Sequence, residues 1–309
     1  MPQRVVIAAG LPDAGLEALS TRFAVDAGDG SVQERVRGAA AIVADPAVRV
    51  DAALLDAAGP SLKVVANFGV GYDNLDLEAL RARGIRATNT PGVLSNATAE
   101  LAVALMLAAA RRVAETDAFV RRGAWTGTEE EALLGRELSG STVGLVGFGR
   151  IGRRVAELLR GFDVDLLVSS RSEPDAATGA KRFELDALLG KADVVSLHVA
   201  LAPETTHLIG APELARMKPG AILVNTSRGA VVDTEALIAG LRAGRPGAAG
   251  LDVYEDEPDV PADLRELPNT VLTPHLGSAT RTTRDAMAHL VAENVIAVLD
   301  GHEPPAAVL

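Results

Sequence analysis

The 309-residue chain contains no cysteine. Disulfides, thiolate nucleophiles and thiolate metal sites are excluded outright, and no other metal-ligand pattern stands out, so no metal site is expected. Long hydrophobic runs are also missing. The longest, Leu101 to Ala110, falls well short of the ~20 apolar residues needed to cross a bilayer. The short run near the start, Arg4 to Gly10, is closed by Pro12 and Asp13, too early for a signal peptide. Basic charge is in deficit: 30 Lys and Arg stand against 41 Asp and Glu, for a net charge of −11. That argues against nucleic acid or an anionic membrane as the main partner. A cytoplasmic protein is the simplest expectation. Solenoid-length repeats, low-complexity tracts and long linkers are absent too.

What is present is an ordinary soluble composition, 48% hydrophobic and 23% charged. The length exceeds what one core supports, so two domains are expected. Short apolar runs alternate with longer helical patterns, the signature of βαβ units and a mainly parallel sheet. In the first part, strands are expected at Val5–Ala8, Ala40–Val43, Lys63–Ala66 and Arg86–Ala87. Helices are expected at Leu16–Arg22, Ala52–Ala58 and Leu75–Arg83, the last ended by Gly84. One long helix, Asn96 to Arg121, joins this part to a second series of strands: Thr142–Val146, Asp165–Ser169, Val194–His198, Ala221–Asn225, Ala248–Asp252 and Val271–Thr273. A final helix spans Thr280 to Leu299. The expected class is α/β, with two lobes, each with a mainly parallel sheet flanked by helices. The boundaries predicted are 1–94 plus 282–309 for one domain and 95–281 for the other.

The second series opens on a strand, a turn and a helix with the pattern G-x-G-x-x-G: Gly147, Phe148, Gly149, Arg150, Ile151, Gly152. Gly147 suits a tight turn, Gly149 a close approach of backbone to pyrophosphate, and Gly152 close packing of helix on strand. The helix start offers free N–H groups to phosphate. A nicotinamide dinucleotide is the expected ligand. The strand that follows ends in Ser170, Arg171 and Ser172, with no acid to bind a ribose 2′-hydroxyl. Arg171 suits a 2′-phosphate, or is a solvated surface arginine. NADP is therefore the expected coenzyme, with NAD as the alternative.

Three residues after successive strands would emerge at the same sheet edge as this loop. Arg228, in Asn225-Thr226-Ser227-Arg228-Gly229, offers a permanent bidentate donor for a carboxylate. His275, after Pro274, can pass a proton to and from a carbonyl oxygen. Glu257 can orient that imidazole, although the acidic run Glu255, Asp256, Glu257 and Asp259 equally suits a solvated face. Asp252, at a strand end, is a candidate for the nicotinamide carboxamide or a turn cap. His198 either lines the coenzyme groove or packs. His207, His289 and His302 read as core or surface histidines. In the first lobe, Gly69, Val70 and Gly71 could present backbone N–H groups to a substrate carboxylate.

Together with Asn89-Thr90-Pro91-Gly92, Ala99-Glu100-Leu101, Met217-Lys218-Pro219-Gly220 and Leu251-Asp252-Val253, these motifs resemble the D-isomer-specific 2-hydroxyacid dehydrogenases over nearly the whole chain. Among them, the chain looks most like the glyoxylate and hydroxypyruvate reductases. The resemblance implies two Rossmann-like lobes, usually as a homodimer built on the nucleotide domain. It implies that Arg228 binds substrate, that Glu257 pairs with His275, and that His275 is the acid/base. It adds Thr98, Thr226 and Gly277 to Asp252 as coenzyme contacts. The expected reaction is hydride transfer from NADPH or NADH to a small 2-oxo acid. The alternatives are a dehydrogenase of another acid, such as phosphoglycerate or formate, and a nucleotide-sensing corepressor-like protein.

Overall fold

The computed structural model describes residues 2–127, 131–175 and 178–309. The chain divides into two compact units, Met1–Leu94 with Ser278–Leu309, and Ser95–Gly277. The return to the first unit thus falls at Ser278, before the 282 read from the sequence.

The first unit holds a parallel sheet of five strands: β1 (Arg4–Ala8), β2 (Ala24–Asp26), β3 (Ala41–Ala44), β4 (Val64–Asn67) and β5 (Arg86–Thr88), in the order β2-β1-β3-β4-β5. Every residue of β3 and β4 is buried, as expected of parallel strands covered on both faces. The helices are α1 (Asp13–Ser20), α2 (Val32–Arg35), α3 (Ala52–Ala58) and α4 (Leu77–Ala82). Aspartates start two of them: Asp51 accepts the Leu54 N–H and Asp76 the Ala79 N–H. Gly84 ends α4 with a left-handed φ of 65°.

The chain re-enters this unit as α12 (Arg281–Leu299), capped by Thr280. Gly15 lets α1 lie against α12, since a Cβ there would sit 3.0 Å from the Ala288 Cβ. Buried Asn294 ties the end of the chain down. It donates to the Asn89 carbonyl at 3.2 Å and accepts the Ala306 N–H at 3.0 Å.

The second unit contains α5 (Ser95–Ala110), α6 (Val113–Arg121), α7 (Arg150–Leu159), α8 (Leu185–Lys191), α9 (Ala211–Arg216), α10 (Thr234–Arg242) and α11 (Ala262–Arg265). They flank a seven-stranded parallel sheet of β6 (Thr142–Val146), β7 (Asp165–Ser169), β8 (Lys181–Arg182), β9 (Val194–Leu197), β10 (Ile222–Asn225), β11 (Ala248–Leu251) and β12 (Thr270–Leu272). The order β12-β11-β10-β9-β6-β7-β8 reverses direction between β9 and β6, where ligands of doubly wound sheets bind outside the carboxyl ends.

The single helix expected over Asn96–Arg121 is instead two. The Ala110 carbonyl accepts the Arg136 N–H at 2.9 Å, so the α-helical bond it would make four residues on gives way to one from distant chain. Arg112 takes a left-handed φ of 54°, and its guanidinium forks onto Glu115 at 2.8 Å through both Nε and a terminal nitrogen. Two strands were not expected, β2 and β8. Both are short and lie at sheet edges, where no continuous apolar run is needed.

Candidate active site

The glycine loop follows β6. Gly147 has a φ of +92°, and a Cβ on it would meet the His198 carbonyl oxygen at 2.5 Å. A Cβ on Gly152 would meet the Gly147 oxygen at the same distance, whereas nothing lies within 4 Å of one on Gly149. The turn is therefore closed against the sheet at its first and last glycines and open at the middle one. Phe148 is buried beneath the guanidinium of Arg153, Arg150 is exposed and Ile151 is half-buried. No side chain caps α7 at Gly149, which leaves its first-turn N–H groups for an anion.

Beyond β7, the Ser170 hydroxyl donates to the Ser172 carbonyl at 2.6 Å, and Arg182 donates to the Ser170 carbonyl at 2.9 Å. Arg171 is exposed beside them. At the ends of β9 and β10, the His198 Nε2 and the Thr226 hydroxyl are buried with no hydrogen-bond partner among the described residues. Burial pushes His198 down to about 4, so it stays neutral. Orphaned polar groups beside an open glycine turn fit an edge built to receive a dinucleotide.

Arg228 follows β10 on a shaped loop. Asn225 accepts the Ser227 N–H and hydroxyl and donates to the Arg228 carbonyl at 2.8 Å. Gly229 then passes directly over the next loop: a Cβ there would fall 1.8 Å from the carbonyl carbon of Tyr254. No side chain fits, and that contact brings the Arg228 loop against the segment carrying Glu257.

Glu257 and His275 meet. The Glu257 Oε2 lies 2.7 Å from His275 Nδ1, and its Oε1 accepts the Tyr254 N–H at 2.9 Å. A carboxylate only accepts, so Nδ1 carries the proton and Nε2 is left for chemistry. Burial opposes charge on Glu257. The hydrogen bonds from His275 and Tyr254, with the nearby positive charge of Arg228, prevail and hold its carboxyl below the usual range.

The loop bearing His275 is gripped by Asp252, which is 1% exposed. Its carboxylate accepts the Thr273 hydroxyl at 2.6 Å and the N–H groups of Leu276 and Gly277 at 2.7 and 2.8 Å, while its carbonyl accepts the His275 N–H. Thr98 donates to the Gly277 carbonyl at 3.1 Å. Thr98, Asp252 and Gly277 are thus one buried network behind the imidazole, and His275 itself takes a left-handed φ of 54°. Burial raises the Asp252 carboxyl above its ordinary value against the pull of these donors.

Sequence reasoning missed Tyr254. Its N–H holds Glu257, and its hydroxyl bonds the Thr273 carbonyl at 3.0 Å. Burial, with the charges of Asp252 and Glu257, pushes that hydroxyl up to about 12. Its position two residues past Asp252 was the available signal. His207 pairs with Glu255 at 2.6 Å on the same acidic segment.

In the first unit, the loop after β4 turns its carbonyls inward. Gly69 accepts the Thr90 N–H, Val70 the Asn89 side chain and Gly71 the Asn67 side chain. The N–H groups of Gly69, Val70 and Gly71 find no acceptor among the described residues.

A doubly wound sheet with an uncapped glycine loop and a carboxylate-paired histidine at one edge defines an α/β nucleotide-dependent dehydrogenase. Residues 103–277 match the family model for the NAD binding domain of D-isomer specific 2-hydroxyacid dehydrogenases. A glyoxylate reductase from Thermococcus litoralis is 46% identical, aligned over 99% of this chain and 96% of its own. Among solved structures, a Thermus thermophilus protein superposes with a TM-score of 0.92 at 46% identity, covering 99% of this chain and 100% of that one. An NADPH-dependent glyoxylate/hydroxypyruvate reductase from Sinorhizobium meliloti, solved with NADP and malonate, does so at 0.91 and 34% identity, over 100% of this chain and 97% of that one. The chain belongs to the D-isomer-specific 2-hydroxyacid dehydrogenases. It is an NAD(P)-dependent oxidoreductase that reduces 2-oxo acids.

Proposed function

We propose that this enzyme uses NADPH to reduce glyoxylate and hydroxypyruvate to the corresponding 2-hydroxy acids. The observation that carries the proposal is the 2.7 Å pairing of Glu257 with His275, at the sheet edge that also bears Arg228 and the glycine loop. The relatives named above support the substrate class. They favour it over the phosphoglycerate, formate and corepressor alternatives.

Gly147 to Gly152 would hold the pyrophosphate, and Thr98, Thr226, Asp252 and Gly277 would bound the nicotinamide end. When bound, the reduced nicotinamide supplies the hydride. Arg228, with the amides of Gly69, Val70 and Gly71, holds the substrate carboxylate. Arg228 also draws charge from the adjacent carbonyl. The doubly protonated His275 gives its Nε2 proton to the carbonyl oxygen as negative charge develops there, and Glu257 stabilises the imidazolium before that transfer. In this scheme the unit of residues 1–94 and 278–309 binds substrate and the unit of residues 95–277 binds coenzyme.

His275→Ala should lower kcat by about 10²–10⁴-fold in steady-state assays; unchanged turnover would refute the acid/base role. The choice of NADPH rests on Ser170, Arg171 and Ser172 and on the absence of an acid at that strand end. A higher kcat/KM with NADH than with NADPH would overturn it. We further propose a cytoplasmic homodimer. It rests on α6, which buries no residue, and on exposed Val113, Val120, Trp125 and Leu134 around it.

A further inference from the structure

The role proposed for Glu257 requires that its segment be held in place, and the immediate surroundings do little to hold it. The chain from Glu255 to Asp259 is exposed at every residue. A cavity of about 430 Å³, bounded in part by His207, Gly229, Asp233, Thr234, Glu255 and Asp256, lies beside it. Packing therefore constrains this stretch weakly, and hydrogen bonds must set its position. Two of them are internal to the loop: the Tyr254 N–H bonds Glu257, and the Asp259 N–H bonds the Asp256 carbonyl at 2.8 Å. They shape the loop without fixing it to a neighbour. His207 supplies a tie from outside, with its Nε2 2.6 Å from the Glu255 carboxylate.

The main chain of His207 is anchored in turn. It takes a left-handed φ of 50°, which is uncommon outside glycine. Its N–H donates to the Ala230 carbonyl at 2.8 Å, and the Ile209 N–H donates to the Val231 carbonyl at 3.1 Å. His207 to Ile209 thus run alongside the turn that follows Arg228. In that turn Gly229 lies against the peptide joining Tyr254 to Glu255, since a Cβ on it would fall 2.3 Å from the Glu255 nitrogen. One histidine is therefore bonded through its main chain to the Arg228 loop and through its ring to the Glu257 segment. All three segments belong to the second unit.

A carboxylate only accepts, so the His207 Nε2 donates, and it can do so whether the ring is neutral or charged. Partial burial opposes charge on Glu255, but the bond from His207, with Thr234 at the start of α10, prevails and holds its carboxyl below the usual range. An ion pair whose histidine side chain is 45% exposed adds little to global stability. What it can fix is position, and a misplacement of ~1 Å at a reacting centre can lower the rate ~10²-fold. We propose that His207 is a positioning residue: through Glu255 it braces the Glu257 segment against the Arg228 loop and so keeps Glu257 opposite His275. The inference rests on the acid/base role proposed above for His275.

The test compares His207→Ala, which removes the donor, with His207→Gln, which offers an amide N–H to Glu255, each made alone and together with Glu257→Gln. In the full-length enzyme with NADPH and glyoxylate, His207→Ala should lower kcat about tenfold, part of the ~10² that full misplacement brings. KM for glyoxylate should change by less than about twofold. His207→Gln should recover most of the loss. Added to Glu257→Gln, His207→Ala should lower kcat by less than about twofold more, because the carboxylate it positions is already gone. The alkaline limb of the kcat–pH profile should move to lower pH in His207→Ala, as in Glu257→Gln, because both weaken the support for the imidazolium. A kcat within about twofold of wild type, an equal loss in both backgrounds, no recovery by glutamine or an unmoved profile would overturn the proposal. Nuclear magnetic resonance of the same proteins, with isotope-labelled histidine, separates this inference from the role it rests on. The Nδ1 proton of His275, assigned by its loss in His275→Ala, reports the bond to Glu257 without turnover. Full turnover by His275→Ala removes the acid/base role. Movement of that resonance in His207→Ala and its return in His207→Gln would still uphold His207 as the brace, while an unmoved resonance would sink it.

Discussion

At the scale of single residues, the acid/base role proposed for His275 rests on what holds its other nitrogen. Glu257 accepts from Nδ1 and from the Tyr254 amide, so the ring is oriented and Nε2 is outside that pairing. Glu257→Gln keeps the shape but removes the charge that favours the imidazolium, and kcat should fall about 10–100-fold. A kcat within twofold of wild type would count against the pairing. The same carboxylate makes a pH-dependent contribution to stability. Its folded pKa lies below the ordinary 4.5, so its stabilisation is present above pH 4.5 and is lost as pH falls through the lowered value. Thermal melting followed against pH should therefore fall less steeply on the acid side in Glu257→Gln than in wild type. His275, Arg228 and the glycine loop stood out as candidates in the sequence, because each is a special residue type placed just after an apolar strand. Glu257 was not separable from its acidic neighbours. Only the folded loop shows that Glu255 turns to His207 and Glu257 to His275.

At the scale of elements, the site depends on loops packed backbone to backbone. Gly229 is the tightest case: with a Cβ position 1.8 Å from a main-chain carbon, no rotamer change can relieve a larger residue. Gly229→Ala should destabilise by about 3 kcal/mol, the upper end of ordinary overpacking, and should depress activity with it. Urea denaturation midpoints and kcat would check both, and a fully stable, fully active variant would show that the two loops are not in contact. Strands β3, β4 and β10 were readable because both faces are buried and each opens on an unbroken apolar run. The edge strands β2 and β8 escaped notice because pairing on one side demands little of their composition. The break between α5 and α6 was invisible for a different reason. Arg111 and Arg112 are good helix formers, and the competing hydrogen bond comes from Arg136, far along the chain.

At the scale of the whole molecule, the proposed dimer rests on the exposed apolar side chains on and near α6. Light scattering at micromolar concentration should give twice the monomer mass, and replacing Val113, Val120 and Trp125 together with polar residues should shift the protein to monomer. A wild-type monomer would remove the dimer.

Residue type and spacing alone determined the α/β class and the glycine loop, and they singled out Arg228 and His275 as candidates at the carboxyl ends of successive strands. These follow from local rules: strand periodicity, turn chemistry and the emergence of loops at the carboxyl ends of parallel strands. Tertiary structure decided the rest. It chose Glu257 from an acidic run, turned Asp252 into the grip on the His275 loop, set Gly229 against Tyr254 and paired His207 with Glu255. Each of these is a contact between segments separated along the chain. Its geometry depends on how the loops pack, which no local pattern encodes.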